Sequence, residues 1–151
     1  MQSQMPYQQQ PYQQQAPAMA YAGVGQRFLA LLIDAIIVGV VVGILTGIGV
    51  AGRNAGVISI TGGIGGLIGI LYFFVLEATM GATLGKRLMG LRIVKEDGSP
   101  ISWGESIIRN LLRIVDGLFF YLVGAIIIWN TQRRQRLGDI LAHTVVVRVR
   151  G

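Results

Sequence analysis

Cysteine is absent from this chain, and histidine occurs once, at His143. The first absence removes disulfides, thiolate metal sites and cysteine nucleophiles, while leaving the redox compartment open. The second leaves too few ligands for a transition-metal site built from protein alone, so no metal and no cofactor is expected. Charge is scarce as well: 13% of the 151 residues are Asp, Glu, Lys or Arg, against 52% hydrophobic. That balance is too apolar for a soluble domain of this length, and a single integral membrane domain follows.

Residues 1–20 carry no charge, eight Gln and three Pro, with the repeat PYQQQ-PYQQQ. Such a composition cannot bury enough apolar surface to fold by itself, so residues 1–21 read as a disordered tail and 22–151 as the membrane domain. No basic stretch followed by a short apolar run precedes it, so a cleavable secretory signal is not expected.

The first long apolar stretch runs from about Arg27 to Val50, long enough as a helix to cross a bilayer with some tilt. Its Leu, Ile, Val and Phe residues supply about −7 kcal/mol towards insertion, against about +3 for Asp34. The helix is therefore expected to insert with its carboxylate in place. A second helix is expected over Gly62 to Met80, with Glu77 close enough to its end to reach the interface.

The third apolar stretch, Ile107 to Trp129, holds Arg109, Arg113 and Asp116 in its first half. Those charges cost about 8 to 10 kcal/mol against about −6 from its apolar residues, which disfavours a simple crossing. Residues 103–115 read instead as an amphipathic helix, with Glu105, Arg109, Arg113 and Asp116 on one stripe, followed by an apolar run too short to span. Charge counting agrees. If the segment returns to the side it left, twelve of the thirteen basic residues share one side and Arg53 alone faces the other; if it spans, they divide seven to six. The expected architecture is all-α integral membrane: two transmembrane helices plus a third apolar segment. A returning hairpin is favoured over a third span, with both termini cytoplasmic in the cell membrane. Leu88 to Val94 and Thr144 to Arg150 read as strands, a small cytoplasmic β element that can pair only if both lie on one side.

An ionisable group inside a membrane-length helix is expensive and is by default a functional hypothesis. Asp34 fits two readings: an ion or proton ligand, or a member of an internal salt bridge that fixes packing. Arg27 shares its face but stands too far along the axis for a direct pair, so a cation from another segment is the expected partner. Glycines at 39, 43 and 47 form a small-residue stripe away from Asp34, and Gly62, Gly65, Gly66 and Gly69 supply its expected partner on the second helix. The two faces ask for more protein than one neighbour covers, which points to a homo-oligomer or a membrane partner protein.

Other chemistries find no support. The Gly-rich runs lack a following Lys-Ser/Thr, so they are not phosphate loops. His143 has no nucleophile at a meaningful spacing, and no enzyme is expected. The net charge of +6 flanks apolar segments instead of lining a soluble face, which reads as topology signals and contacts to anionic headgroups of the lipid bilayer, not nucleic-acid binding.

Four ordered motifs then carry a resemblance: Arg27 with Asp34; Thr83-Leu-Gly-Lys-Arg-Leu-Met-Gly-Leu-Arg-Ile-Val94 with Asp97-Gly98; Arg109-x-x-x-Arg113-x-x-Asp116; and Arg136-Leu-Gly-Asp139-Ile-Leu-Ala-His-Thr-Val-Val. Over residues 22–150 the chain resembles the RDD family of small multi-pass membrane proteins. The resemblance implies that Arg27 and Asp34 are the family's arginine and first aspartate. The second is Asp116 or Asp139, with Asp139 preferred for its tight Arg-Leu-Gly-Asp setting. The chain departs from the family at His143, where a small residue, usually Gly, is common.

The resulting expectation is a membrane protein of transport or transport-accessory type. Asp34, Asp116 and Glu77 are the candidate ion or proton ligands. Arg27, Arg109 and Arg113 are their charge partners, and Arg136 with Asp139 forms a structural clasp. The alternative is a non-transporting interaction or assembly protein whose buried charges pair with a partner's.

Overall fold

The computed structural model describes residues 19–118 and 122–149. Most of the expected tail, and Arg150 at the end of the second expected strand, lie outside them. Two long helices, α1 (Val24–Ala51) and α2 (Ala55–Met80), dominate. Both are long and apolar enough to cross a membrane. The second begins seven residues earlier than its hydropathy suggests, because Asn54 caps it: its Oδ1 accepts from the Val57 N–H at 3.2 Å. Serine and threonine then extend the helix as passengers, Ser59 and Thr61 returning their hydroxyls to carbonyls one turn back.

The three-residue link between α1 and α2 makes them an antiparallel hairpin. Their contact differs from the expected glycine-on-glycine packing. Gly65 and Gly69 of α2 receive Val42 and Val38, and Gly49 of α1 receives Ile58. A Cβ at Gly65 would stand 2.9 Å from Val42. The stripe of Gly39, Gly43 and Gly47 faces open space, as do Gly62 and Gly66. Small residues let backbones approach, but here a β-branched residue, Val42, Val38 or Ile58, fills each of these gaps in place of a facing glycine.

Helix α2 stops at Gly81, whose left-handed backbone (φ +66°) returns its N–H to the Glu77 carbonyl at 3.0 Å. Thr83 then caps the single-turn helix α3 (Leu84–Leu88), and the chain enters β1 (Leu91–Lys95). The start of the expected strand, Leu88 to Gly90, is thus a helix end and turn. After α4 (Trp103–Leu118), α5 (Leu122–Asn130) and the short α6 (Leu137–Leu141), β2 (Thr144–Arg148) pairs antiparallel with β1, Ile93 opposite Val146. Residues 20–22 join the other edge of β2, with Ala22 N–H donating to Val146 at 2.9 Å and Arg148 N–H to Ala20 at 2.8 Å. Leu91, Ile93, Ala22, Ala30 and Val146 form the small apolar core there.

This pairing places the start of α1, the end of α2 and the C-terminal strand at one end of the hairpin. Helix α4 follows β1, and α5 precedes α6 and β2, so both flanks of the segment 103–130 are tied to that end. Helix α4 is amphipathic as expected, but turned so that its polar side faces protein: Ser106, Arg109, Asn110 and Asp116 are buried, while Ile107, Ile108, Leu111 and Ile114 are exposed. His143 closes the turn into β2 with φ +50°, the left-handed conformation that glycine adopts most readily.

Candidate functional site

Four buried carboxylates meet where α1, α2, α3, α4 and α6 converge. Asp34 is 1% exposed and accepts three hydrogen bonds: from the Tyr72 hydroxyl at 2.6 Å, the Thr83 hydroxyl at 2.6 Å and the Gly85 backbone N–H at 2.7 Å. Among the described residues no cation pairs with it, which corrects the expected salt bridge from another segment. The reason is geometric. Gly85 lets the first turn of α3 press against α1, with the Ala30 carbonyl and Asp34 Oδ1 where a side chain would otherwise start. Uncharged donors then satisfy the carboxylate, as a cap would.

Glu77 is covered by protein. It is fully buried and collects Lys86 at 2.5 Å, Arg113 at 2.9 Å, Arg109 at 3.4 Å and the Asn110 amide at 3.3 Å. The position that would have let it escape, one turn from the helix end, instead puts it under α3 and α4, whose cations cover it. Arg113 also stacks on Phe73, its guanidinium carbon 4.1 Å from the ring centroid.

Asp139 is the third centre and is fully buried. Arg27 donates to it at 2.5 Å, Arg109 donates to its other oxygen, and Arg136 contributes its backbone N–H at 3.2 Å and its Nε at 3.4 Å. Arg27 also holds the Arg134 carbonyl at 2.6 Å. The Arg136–Asp139 clasp is thus present, and the two family residues at opposite ends of the chain, Arg27 and Asp139, are in direct contact. Arg27, Arg109 and Arg113 balance Asp139 and Glu77, not Asp34. Burial opposes ionisation of Asp139, but Arg109, Arg27 and Arg136 outweigh it and hold its carboxyl well below the usual aspartate range.

Asp116 differs from the other three. It is 1% exposed, yet among the described residues neither oxygen accepts a hydrogen bond; its nearest cation, Arg136 Nη1, stands at 3.7 Å. It borders a cavity of about 330 Å³ between α1, Phe73, α4 and α5. Arg27, Lys86, Arg109, Arg113 and Arg136 line the same cavity, as does Asp34, and Val24, Phe28, Leu31, Leu122, Ala125 and Ile128 make its apolar wall. Burial pushes the Lys86 ammonium down to about 7, with Arg113, Arg109 and Arg136 adding to the push and Glu77 opposing it.

The sequence points to the charged members other than Lys86 and not to the uncharged ones. Tyr72, Thr83, Gly85 and Asn110 became visible only through the fold, although Thr83 before a short helical run was a readable cap and Asn110 lay on the polar side of α4. Lys86 was read as a topology signal because nothing in its spacing pointed inward.

Comparison with known proteins gives relatives of undefined activity. The chain is 39% identical over 82 residues to the uncharacterized protein YxaI of Bacillus subtilis (strain 168), covering 54% of this chain and 53% of that one. It is 29% identical over 86 residues to the proline-rich antigen homolog of Mycobacterium tuberculosis, covering 56% of this chain and 35% of that one. The chain thus spans about half or less of the length of the relatives it matches. No solved structure matches it. Residues 21–143, which contain α1 to α6 and every buried charge described above, match the RDD family, and the chain belongs to that family.

Proposed function

We propose that this is a membrane protein of transport or transport-accessory type whose working carboxylate is Asp116. In this reading α1 and α2 cross the cell membrane and the α4–α5 hairpin re-enters it from the cytoplasmic side, with both termini cytoplasmic. One observation carries the assignment: among the described residues Asp116 is buried at a cavity and accepts no hydrogen bond, whereas Asp34, Glu77 and Asp139 are each held by three or more donors. A buried carboxylate that faces a cavity and is held only by a long ion pair to Arg136 is the one able to gain and lose a proton or a ligand without dismantling the fold. The saturated three act as fasteners between helices.

The exposed faces of α1 and α2 and the arrangement of basic residues support the membrane placement. Arg53 lies at the far end of the hairpin, and the remaining basic residues named here lie at or near the sheet end. Because the chain has no cysteine, single cysteines can report topology directly. A cysteine at Asn54 is expected to react with an impermeant maleimide from outside the cell, and one near either terminus only after permeabilisation. Labelling of the C-terminal site from outside would remove the re-entrant reading.

The transport reading is tested in vesicles reconstituted with purified protein and loaded with a pH-sensitive dye. Asp116→Asn is expected to abolish the proton flux set up by a pH step while leaving the melting temperature unchanged or raised, since it removes a buried charge that no hydrogen bond satisfies. Asp34→Asn is expected to act mainly on stability, by about 1–3 kcal/mol, because an amide cannot accept from all three donors. Flux that survives Asp116→Asn at full rate defeats the assignment.

A further inference from the structure

We infer that the cavity beside Asp116 receives a small amphiphilic anion, and that its binding is coupled to uptake of a proton by Asp116. This rests on reading Asp116 as the working carboxylate, and it adds the chemical class of what the site takes.

The argument begins with charge. Five cations, Arg27, Lys86, Arg109, Arg113 and Arg136, border the cavity. Four carboxylates stand with them: Asp34 and Asp116 at its wall, Glu77 and Asp139 behind it. With every group ionised the cluster holds one positive charge in excess, and two once Asp116 is protonated. Uncompensated charge away from water is costly, so the cluster favours an arriving anion and repels a cation. Glu77 and Asp139 are saturated by the arginines, so the excess is felt at the cavity.

Geometry places the two ends of the ligand. Asp116 projects from α4 against α5 at Gly124, where an added Cβ would stand 3.3 Å from its carboxyl carbon. Helix α5 brings no titratable group of its own to that contact. The groups facing Asp116 are Arg136 from the turn before α6, Arg113 from α4 and Asp139 from α6. An anionic head between Arg136 and Arg113 would lie beside Asp116 and repel its ionised form. Protonation converts that neighbour into a hydrogen-bond donor. Proton and anion therefore bind cooperatively, each raising the affinity of the other by the same factor. The rest of the space is walled by Phe28, Leu31, Phe73, Leu122 and Ile128, which suits an alkyl body and not a bare inorganic ion. Such an anion can come from solution or from a lipid headgroup that enters with its chain.

The probe is octanesulfonate, which stays ionised at every pH used, so any pH dependence belongs to the protein. Binding is read by calorimetry and by thermal stabilisation of the purified full chain in uncharged detergent. Octanesulfonate is expected to stabilise the protein and octyltrimethylammonium to leave it unchanged. As pH falls from 6 to 4, with Lys86 protonated throughout, affinity is expected to rise about tenfold. In Asp116→Asn the affinity should match the acid value and lose this dependence. Arg136→Gln should weaken binding about tenfold or more. In nanodiscs, competition from phosphatidylglycerol but not phosphatidylcholine would identify a lipid source, and equal binding in both a soluble one.

Stabilisation by the cationic amphiphile, or octanesulfonate binding that ignores both pH and Asp116→Asn, would overturn the inference. If that happens while Asp116→Asn still abolishes flux, the transport reading survives alone. Binding that shows the proton linkage without any flux in vesicles upholds the anion site and removes transport.

Discussion

Asp139→Asn is expected to destabilise the protein by about 3–5 kcal/mol, measured as the fall in thermal or denaturant stability of the purified chain in detergent. The size follows from what converges on this side chain. Arg27 from the start of α1, Arg109 from α4 and Arg136 from the turn before α6 all donate to it. Asparagine keeps the shape and removes the charge, so three guanidiniums remain together with no carboxylate among them. Arg109 retains Glu77, and Arg136 only the distant Asp116. Arg27 keeps two backbone carbonyls, Ala22 at 3.3 Å and Arg134 at 2.6 Å. Adding Arg27→Met should return part of the loss, because removing one of the stranded cations relieves the repulsion; a coupling of about 1 kcal/mol or more is expected for residues in contact. The penalty also has a pH signature. A carboxyl held below its ordinary value of 3.8 contributes stability that is present above that value and fades as pH falls towards the folded one. Native protein and variant should therefore converge in strong acid. An Asn variant within 1 kcal/mol of native at neutral pH would show that the three arginines find other partners.

Gly85→Ala is expected to be comparably severe, at about 3 kcal/mol or more, and to act through backbone contact. The new methyl would be driven into the Ala30 carbonyl oxygen and stand 2.8 Å from Asp34 Oδ1. Neither atom can give way. One belongs to the backbone of α1, and the other accepts from Tyr72 while Thr83 holds the second oxygen of the same carboxylate. Helix α3 must move off, which strands the Asp34 carboxylate and pulls Lys86 from Glu77. The control is Gly39→Ala, where nothing lies within 4 Å of the added Cβ; it should leave the melting temperature unchanged or raise it. Equal behaviour of the two alanine variants would mean that α3 is not seated on Asp34.

Both effects depend on residues that were legible in the primary structure to different degrees. Arg27, Asp34, Asp116, Arg136 and Asp139 stood out because a charge in or beside an apolar run is costly enough to demand an explanation. Their partners did not. Seven residues separate Arg27 from Asp34, and periodicity puts both on one face, yet Arg27 reaches across the fold to Asp139, 112 positions away. Glu77 looked able to escape to the interface, and it is paired with three cations, as Asp139 is, once α3 and α4 fold over it.

By itself the sequence determined the number of the membrane-length helices, the amphipathic character of residues 103–115, the approximate strands and the family. These follow from local apolar content and period, which need no knowledge of neighbours. Tertiary structure decided which carboxylate is capped, which are salt-bridged and which is left facing a cavity. It also decided that valine and isoleucine side chains, not glycines, fill the glycine gaps. The reason is the same in each case: hydrogen bonds, ion pairs and close packing are settled by distances between segments, and a residue's type limits its possible partners without choosing among them.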